Sequence, residues 1–140
     1  MQGETMVAIN IEYVGDLHCR ATHLPSGAEL ITDAPADNMG KGETFSPTDL
    51  VATALGTCIL TVMGTKAQSM GIDLSGSTVV VDKEMASGPR RIGRLATSVV
   101  IPHQISDRDK KILEATAFTC PVHKSMSSEV DMPITFEWAE

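Results

Sequence analysis

The chain has 140 residues, 42% hydrophobic and 21% charged, with a formal net charge of −7 at pH 7, which suits one globular domain over 1–140 and excludes a disordered or fibrous chain. Such a length buries roughly two-thirds of the surface exposed on unfolding, enough for a core without disulfide staples. The acidic balance argues against a nucleic-acid partner, since phosphate binding needs clustered Lys and Arg, and the one basic group, Arg90, Arg91 and Arg94, reads as a solvated turn.

In chain order, Met1 to Glu4 carry neither a basic cluster nor an apolar run, which predicts no secretory or transit signal. Met6 to Tyr13 alternates apolar Val7, Ile9, Ile11 and Tyr13 with Ala8, Asn10 and Glu12, the period of a half-buried strand. A turn at Gly15-Asp16, a return strand over Leu17–Leu24, a turn at Pro25-Ser26-Gly27 and a strand over Ala28–Thr32 make an antiparallel meander. Asp33 to Phe45, with Pro35, Asn38, Gly40 and Gly42, is a loop, and loops of that length in compact domains tend to be functional or to cover something.

Ser46, Pro47 and Asp49 form a capping-box-like helix start. The helix is predicted to run to about Met70 and stop at Gly71, and its apolar residues on every face predict that protein surrounds it. Its apolar stretch, Leu50 to Met63, is interrupted by Thr53, Gly56, Thr57 and Thr61 and is short of the roughly 20 apolar residues that span a bilayer, so no membrane association is expected. Two β-branched runs, Ser77–Ala86 and Ile92–Ile101, flank Ser87-Gly88-Pro89 as a hairpin. A second helix starts at Ser106 and ends near Thr119, Cys120-Pro121 opens a short helical turn, and Pro133–Trp138 alternates as a closing strand. The order β-β-β-α-β-β-α-(α)-β gives an α+β fold, a curled antiparallel sheet around a buried central helix.

Three cysteines in a protein read as cytoplasmic argue against a structural disulfide framework. Cys58 lies about three turns into the central helix, beyond the reach of the helix dipole, and in apolar surroundings alone it would be inert. Cys120 precedes a proline suited to the first helical position, which puts its sulfur at a helix N-cap, and His123 and Lys124 follow one turn on. Local physics therefore makes Cys120 the more reactive thiol. Cys19 and Arg20 are adjacent on a strand and point to opposite faces, and Cys19 reads as structural.

SPTDLVATALGTC (Ser46 to Cys58) and TCPVHKSM (Thr119 to Met126), with TDAP (Thr32 to Pro35) before a Gly-rich loop, resemble the OsmC/Ohr family of thiol-dependent hydroperoxide reductases, and the resemblance covers nearly the whole chain. It implies that Cys58 is the peroxidatic thiolate and that Cys120 resolves its sulfenic acid as an intramolecular disulfide. It further implies an external dithiol reductant of the lipoyl type, an organic hydroperoxide substrate, no cofactor and no metal, and an interlocked homodimer. An arginine held by an acid stabilises the helix thiolate in the family, and Arg20 is the best match for it. Ohr-type members place a glutamate ten residues before the helix cysteine, where this chain has Thr48; Asp49, nine before, matches other branches, and Glu43 is a weaker substitute. Asp49 reads equally well as a capping acid, and Arg20 as an exposed strand arginine.

Three other readings stay open. Cys58, Cys120 and His123 could hold zinc with His18, His23 or His103 as a fourth ligand. Cys120 and His123 could form a hydrolase or transferase dyad. The fold could also bind a small lipophilic ligand without peroxidase activity.

Overall fold

The computed structural model describes residues 6–140. Chain order is β1 (Ile9–Gly15), β2 (His18–His23), β3 (Glu29–Asp33), a 3-10 turn (Ala36–Asn38), α1 (Pro47–Ser69), β4 (Thr78–Ala86), β5 (Arg91–Ile101), α2 (Asp107–Ala117), α3 (Pro121–Ser125) and β6 (Ile134–Trp138). The succession expected from the sequence is present, including the short helix after Cys120. The chain divides into two compact units, one ending at Leu50 and the other Val51–Glu140.

In the first unit β1, β2 and β3 form the expected antiparallel meander, with Glu12 opposite Arg20 and His18 opposite Asp33. The β1–β2 turn passes through positive φ at Gly15, Asp16 and Leu17. Leu17, a residue that seldom adopts φ 63, is tied on both sides: its N–H donates to Tyr13 Oη at 3.2 Å and its carbonyl accepts the Ala34 N–H at 3.2 Å. That turn delivers His18 to the start of β2. The apolar alternation of β1 is not buried within the chain: Ile9 is 49%, Ile11 65% and Tyr13 63% exposed. The period-2 pattern identified the strand, but the meander alone supplies no second layer to cover it.

The second unit holds the apolar core. Its sheet runs β4-β5-β6, with β4 and β5 antiparallel and β5 and β6 parallel. The structure therefore corrects the single curled antiparallel sheet to two three-stranded sheets, one of them mixed. The parallel pairing arises because α2 and α3 carry the chain back between β5 and β6, so β6 enters beside β5 in the same direction. Alternate residues Leu95, Val99 and Ile101 of β5 are buried with Leu55, Ile59 and Met63 of α1 and Leu113 of α2. At Gly56 helix and sheet come so close that a Cβ would lie 2.9 Å from Val81 Cγ2, so glycine permits the approach.

α1 does not have protein on every side within this chain. Thr53, Ala54, Thr57, Thr61 and Thr65 are exposed along one face. Thr57, Thr61 and Thr65 donate their hydroxyls to the carbonyls four residues back, at 2.8, 2.7 and 2.9 Å, leaving a face that is small and self-satisfied in hydrogen bonding. By length and composition α1, 23 residues with hydropathy 1.5 in its most apolar window, would also suffice to cross a membrane, contrary to the short stretch read from sequence. Its other face packs in the core described above.

Candidate thiol site

Cys58 projects from the middle of α1, and Cys120 caps α3, where its sulfur accepts the His123 N–H at 3.4 Å. The fold places Cys58 near enough to Cys120 in the second unit to act on its titration. Both are free; Cys58 is half-buried and Cys120 fully buried. Burial pushes the Cys120 thiol up from its ordinary pKa, the hydrogen bond with Cys58 adds to the rise, and the His123 and Val122 N–H groups oppose it. Negative charge on Cys58 also raises it. Burial thus opposes ionisation of Cys120.

This runs against the reading from local sequence, in which the helix N-cap favoured a Cys120 thiolate. The cap exists, but desolvation outweighs the N–H groups it offers. Depth of burial is set by α2 and α3 packing on α1, which no local motif reports.

The histidine beside Cys120 does not extend the site into a metal centre. His123 makes an edge-to-face contact with Phe118, ring centroids 5.9 Å apart. Cys58, Cys120 and His123 are not among the described residues whose ligand atoms cluster closely enough to share an ion, so the zinc reading built on them is not supported.

Arg20 and Asp49 each have a local partner. Arg20 pairs with Glu12 on the neighbouring strand at 3.6 Å, and its side chain is 46% exposed. Asp49 accepts the Ser46 N–H at 2.9 Å while its own N–H donates to Ser46 Oγ at 3.1 Å, the reciprocal capping box predicted at the start of α1.

A group that sequence reasoning did not assemble lies in the first unit. His18 Nε2 is 3.1 Å from Glu43 Oε1 and 3.6 Å from Asp33 Oδ2, and Nδ1 is 2.6 Å from the Asp16 carbonyl. Asp33 is buried; the Glu43 N–H donates to its Oδ2 at 3.1 Å and is the largest cause of its lowered pKa, helped by the His18 charge. Hydrogen bonding to the Asp16 carbonyl, then the charges of Asp33 and Glu43, raise the His18 pKa against its desolvation. The available signal was the long Gly-rich loop with an acid at its first position and another near its end, but joining them to a histidine on β2 required the strand register.

A family model described as OsmC-like protein matches residues 40–135. Among solved structures, a protein from Psychrobacter arcticus 273-4, described as a candidate osmotic stress induced and detoxification response protein, is 43% identical, with 97% of this chain and 99% of that chain covered and a TM-score of 0.90. An organic hydroperoxide resistance protein from Elizabethkingia anophelis is 14% identical over 98% of this chain and 99% of that chain, TM-score 0.77. The organic hydroperoxide resistance protein OhrB of Bacillus subtilis is 15% identical over 95% and 98%, TM-score 0.71. At such identities the last two show a shared fold. No curated protein matches the sequence.

Proposed function

The chain belongs to the OsmC-like family, and from that premise we propose that it is a thiol-dependent peroxidase that reduces organic hydroperoxides. The observation that carries this reading is the Cys58–Cys120 contact, a half-buried thiol beside a fully buried one held protonated. In the proposed cycle the Cys58 thiolate attacks the distal oxygen of ROOH. The O–O bond breaks, RO⁻ takes a proton and leaves as alcohol, and Cys58 becomes a sulfenic acid. The Cys120 sulfur then attacks the Cys58 sulfur, its proton leaves with the hydroxyl as water, and a disulfide forms. An external dithiol, of the lipoyl type, returns both thiols and is itself oxidised to a disulfide.

Apolar Leu55, Ile59, Val122 and Met126 belong to the cluster around the pair and favour an alkyl or aryl hydroperoxide over hydrogen peroxide. In the same proposal Arg20 stabilises the Cys58 thiolate and Asp49 serves as its acid partner, by analogy with the family pattern. The protein acts in the cytoplasm as an interlocked homodimer, a state supported by the exposed Ile9, Ile11 and Tyr13 of β1 and the small-residue face of α1.

Reduced protein treated with cumene hydroperoxide is expected to consume it and to lose two hydrogens by intact mass. Cys58→Ser is expected to slow peroxide consumption at least about a hundredfold. Cys120→Ser should still react once and accumulate a sulfenic acid that dimedone traps. No mass change together with no peroxide consumption would overturn the proposal.

A further inference from the structure

We propose that His18, Asp33 and Glu43 form a binding site for one divalent transition-metal cation of the Zn²⁺ type, apart from the thiol pair. One ligand atom from each lies within 4.8 Å of the other two. Metal–ligand bonds of about 2.0–2.2 Å at tetrahedral angles put ligand atoms about 3.3–3.6 Å apart. Of the observed separations from His18 Nε2, 3.6 Å to Asp33 matches the upper end of that spacing and 3.1 Å to Glu43 falls a little below it.

The histidine is oriented as a ligand would be. A carbonyl can only accept, so the 2.6 Å contact between Nδ1 and the Asp16 oxygen puts a proton on Nδ1. Nε2 is then the atom that faces both carboxylates; it holds a proton there when no metal is bound, and a cation would take that proton's place. Metal-bound histidines characteristically give their other ring N–H to a backbone carbonyl in this way.

The second indication is independent of the first. Asp33 is 1% exposed, and its Oδ1 is buried with no hydrogen-bond partner among the described residues. The Ala34 and Lys41 amides also favour its charged form. The Ala34 N–H, however, is spent on the Leu17 carbonyl, and neither amide closes a hydrogen bond to Oδ1. A buried carboxylate oxygen left unpaired is costly, and a cation shared by both oxygens of Asp33, with Oδ2 the one facing His18, would satisfy it. The Lys41 ammonium lies 3.3 Å from Asp16 Oδ2 and pairs there.

The loop carrying Glu43 is shaped to hold its position. Asn38 and Gly40 both donate to the Pro35 carbonyl, at 2.9 and 3.0 Å, and Asp33 N–H donates to the Phe45 carbonyl at 3.1 Å. A Cβ on Gly40 would lie 1.7 Å from the Ala34 oxygen, so only glycine lets the loop fold against β3 here. Two carboxylates and one neutral imidazole carry a charge of −2, matched to a divalent ion, with the remaining coordination left for water or a small anion.

Zn²⁺ titration followed by calorimetry tests the site, using the whole chain with Cys19, Cys58 and Cys120 all replaced by serine so that thiolates do not contribute. One Zn²⁺ per chain is expected. Glu43→Gln, at a side chain 58% exposed, and His18→Gln are each expected to weaken binding about tenfold or more. Circular dichroism of both variants verifies that they fold. No binding by the parent, or binding that both substitutions leave unchanged, would overturn the proposal. Neither result bears on peroxide consumption by the protein with its cysteines intact.

Discussion

Every buried hydrophobic residue of the described chain lies at or beyond Ala52, whereas the buried residues before it are Thr32, Asp33 and Ser46. The second unit is organised by apolar packing of α1 and α2 on β4, β5 and β6. The first is organised by strand ladders, a positive-φ turn and a looped carboxylate, and leaves apolar β1 residues exposed. A three-stranded meander is too small to enclose a core of its own. What gives it shape is hydrogen bonding, and what its apolar face calls for is a covering surface. The difference assigns different chemistry to each: a low-polarity setting that keeps Cys120 protonated in one, a polar cluster with unspent ligand capacity in the other.

The comparison breaks most directly at the core. Leu55→Ala, at a residue with no exposure, is expected to cost about 2–5 kcal/mol in urea denaturation. Ile11→Ser in the first unit should leave the unfolding of isolated chains nearly unchanged while weakening self-association, read by light scattering over a dilution series. Equal stability losses from both would erase the distinction between a packed unit and a hydrogen-bonded one.

Ser46→Ala removes the acceptor for the Asp49 N–H and is expected to cost about 0.5–2 kcal/mol. Restoration by Ser46→Thr would assign that loss to the cap.

The raised Cys120 pKa gives a pH dependence with a definite sign. A thiol that holds its proton more tightly when folded contributes stability fully present below the unfolded thiol pKa, about 8.5, and lost as pH rises through the folded value. The melting temperature of the reduced protein should therefore fall on the alkaline side of that pH more steeply than that of Cys120→Ser. Parallel curves would show that burial does not hold the proton.

The smallest stability effect belongs to Arg20→Ala. Its exposed pair with Glu12 is worth roughly 0–1 kcal/mol, so the variant should melt close to the parent. A fall in peroxide consumption of about tenfold or more without such a stability change would assign Arg20 to the thiolate; unchanged turnover would leave it a strand arginine.

Strand and helix identities were legible in the residues because they depend on local period and on caps: the Ser46–Asp49 box and the stop at Gly71 appear where the pattern put them, and β1 appears shifted, at Ile9–Gly15 instead of Met6–Tyr13. The two cysteine segments likewise pointed to the family and to a thiol pair. Four features depended on contacts between residues far apart in sequence. They are the parallel entry of β6, the exposed face of α1, the burial that opposes ionisation of Cys120, and the meeting of His18 with Asp33 and Glu43. Local sequence determines backbone preference and the chemical type of each group. Desolvation and side-chain convergence are set by neighbours that only the folded chain supplies, which is why the sequence alone could name the thiols but could not rank them.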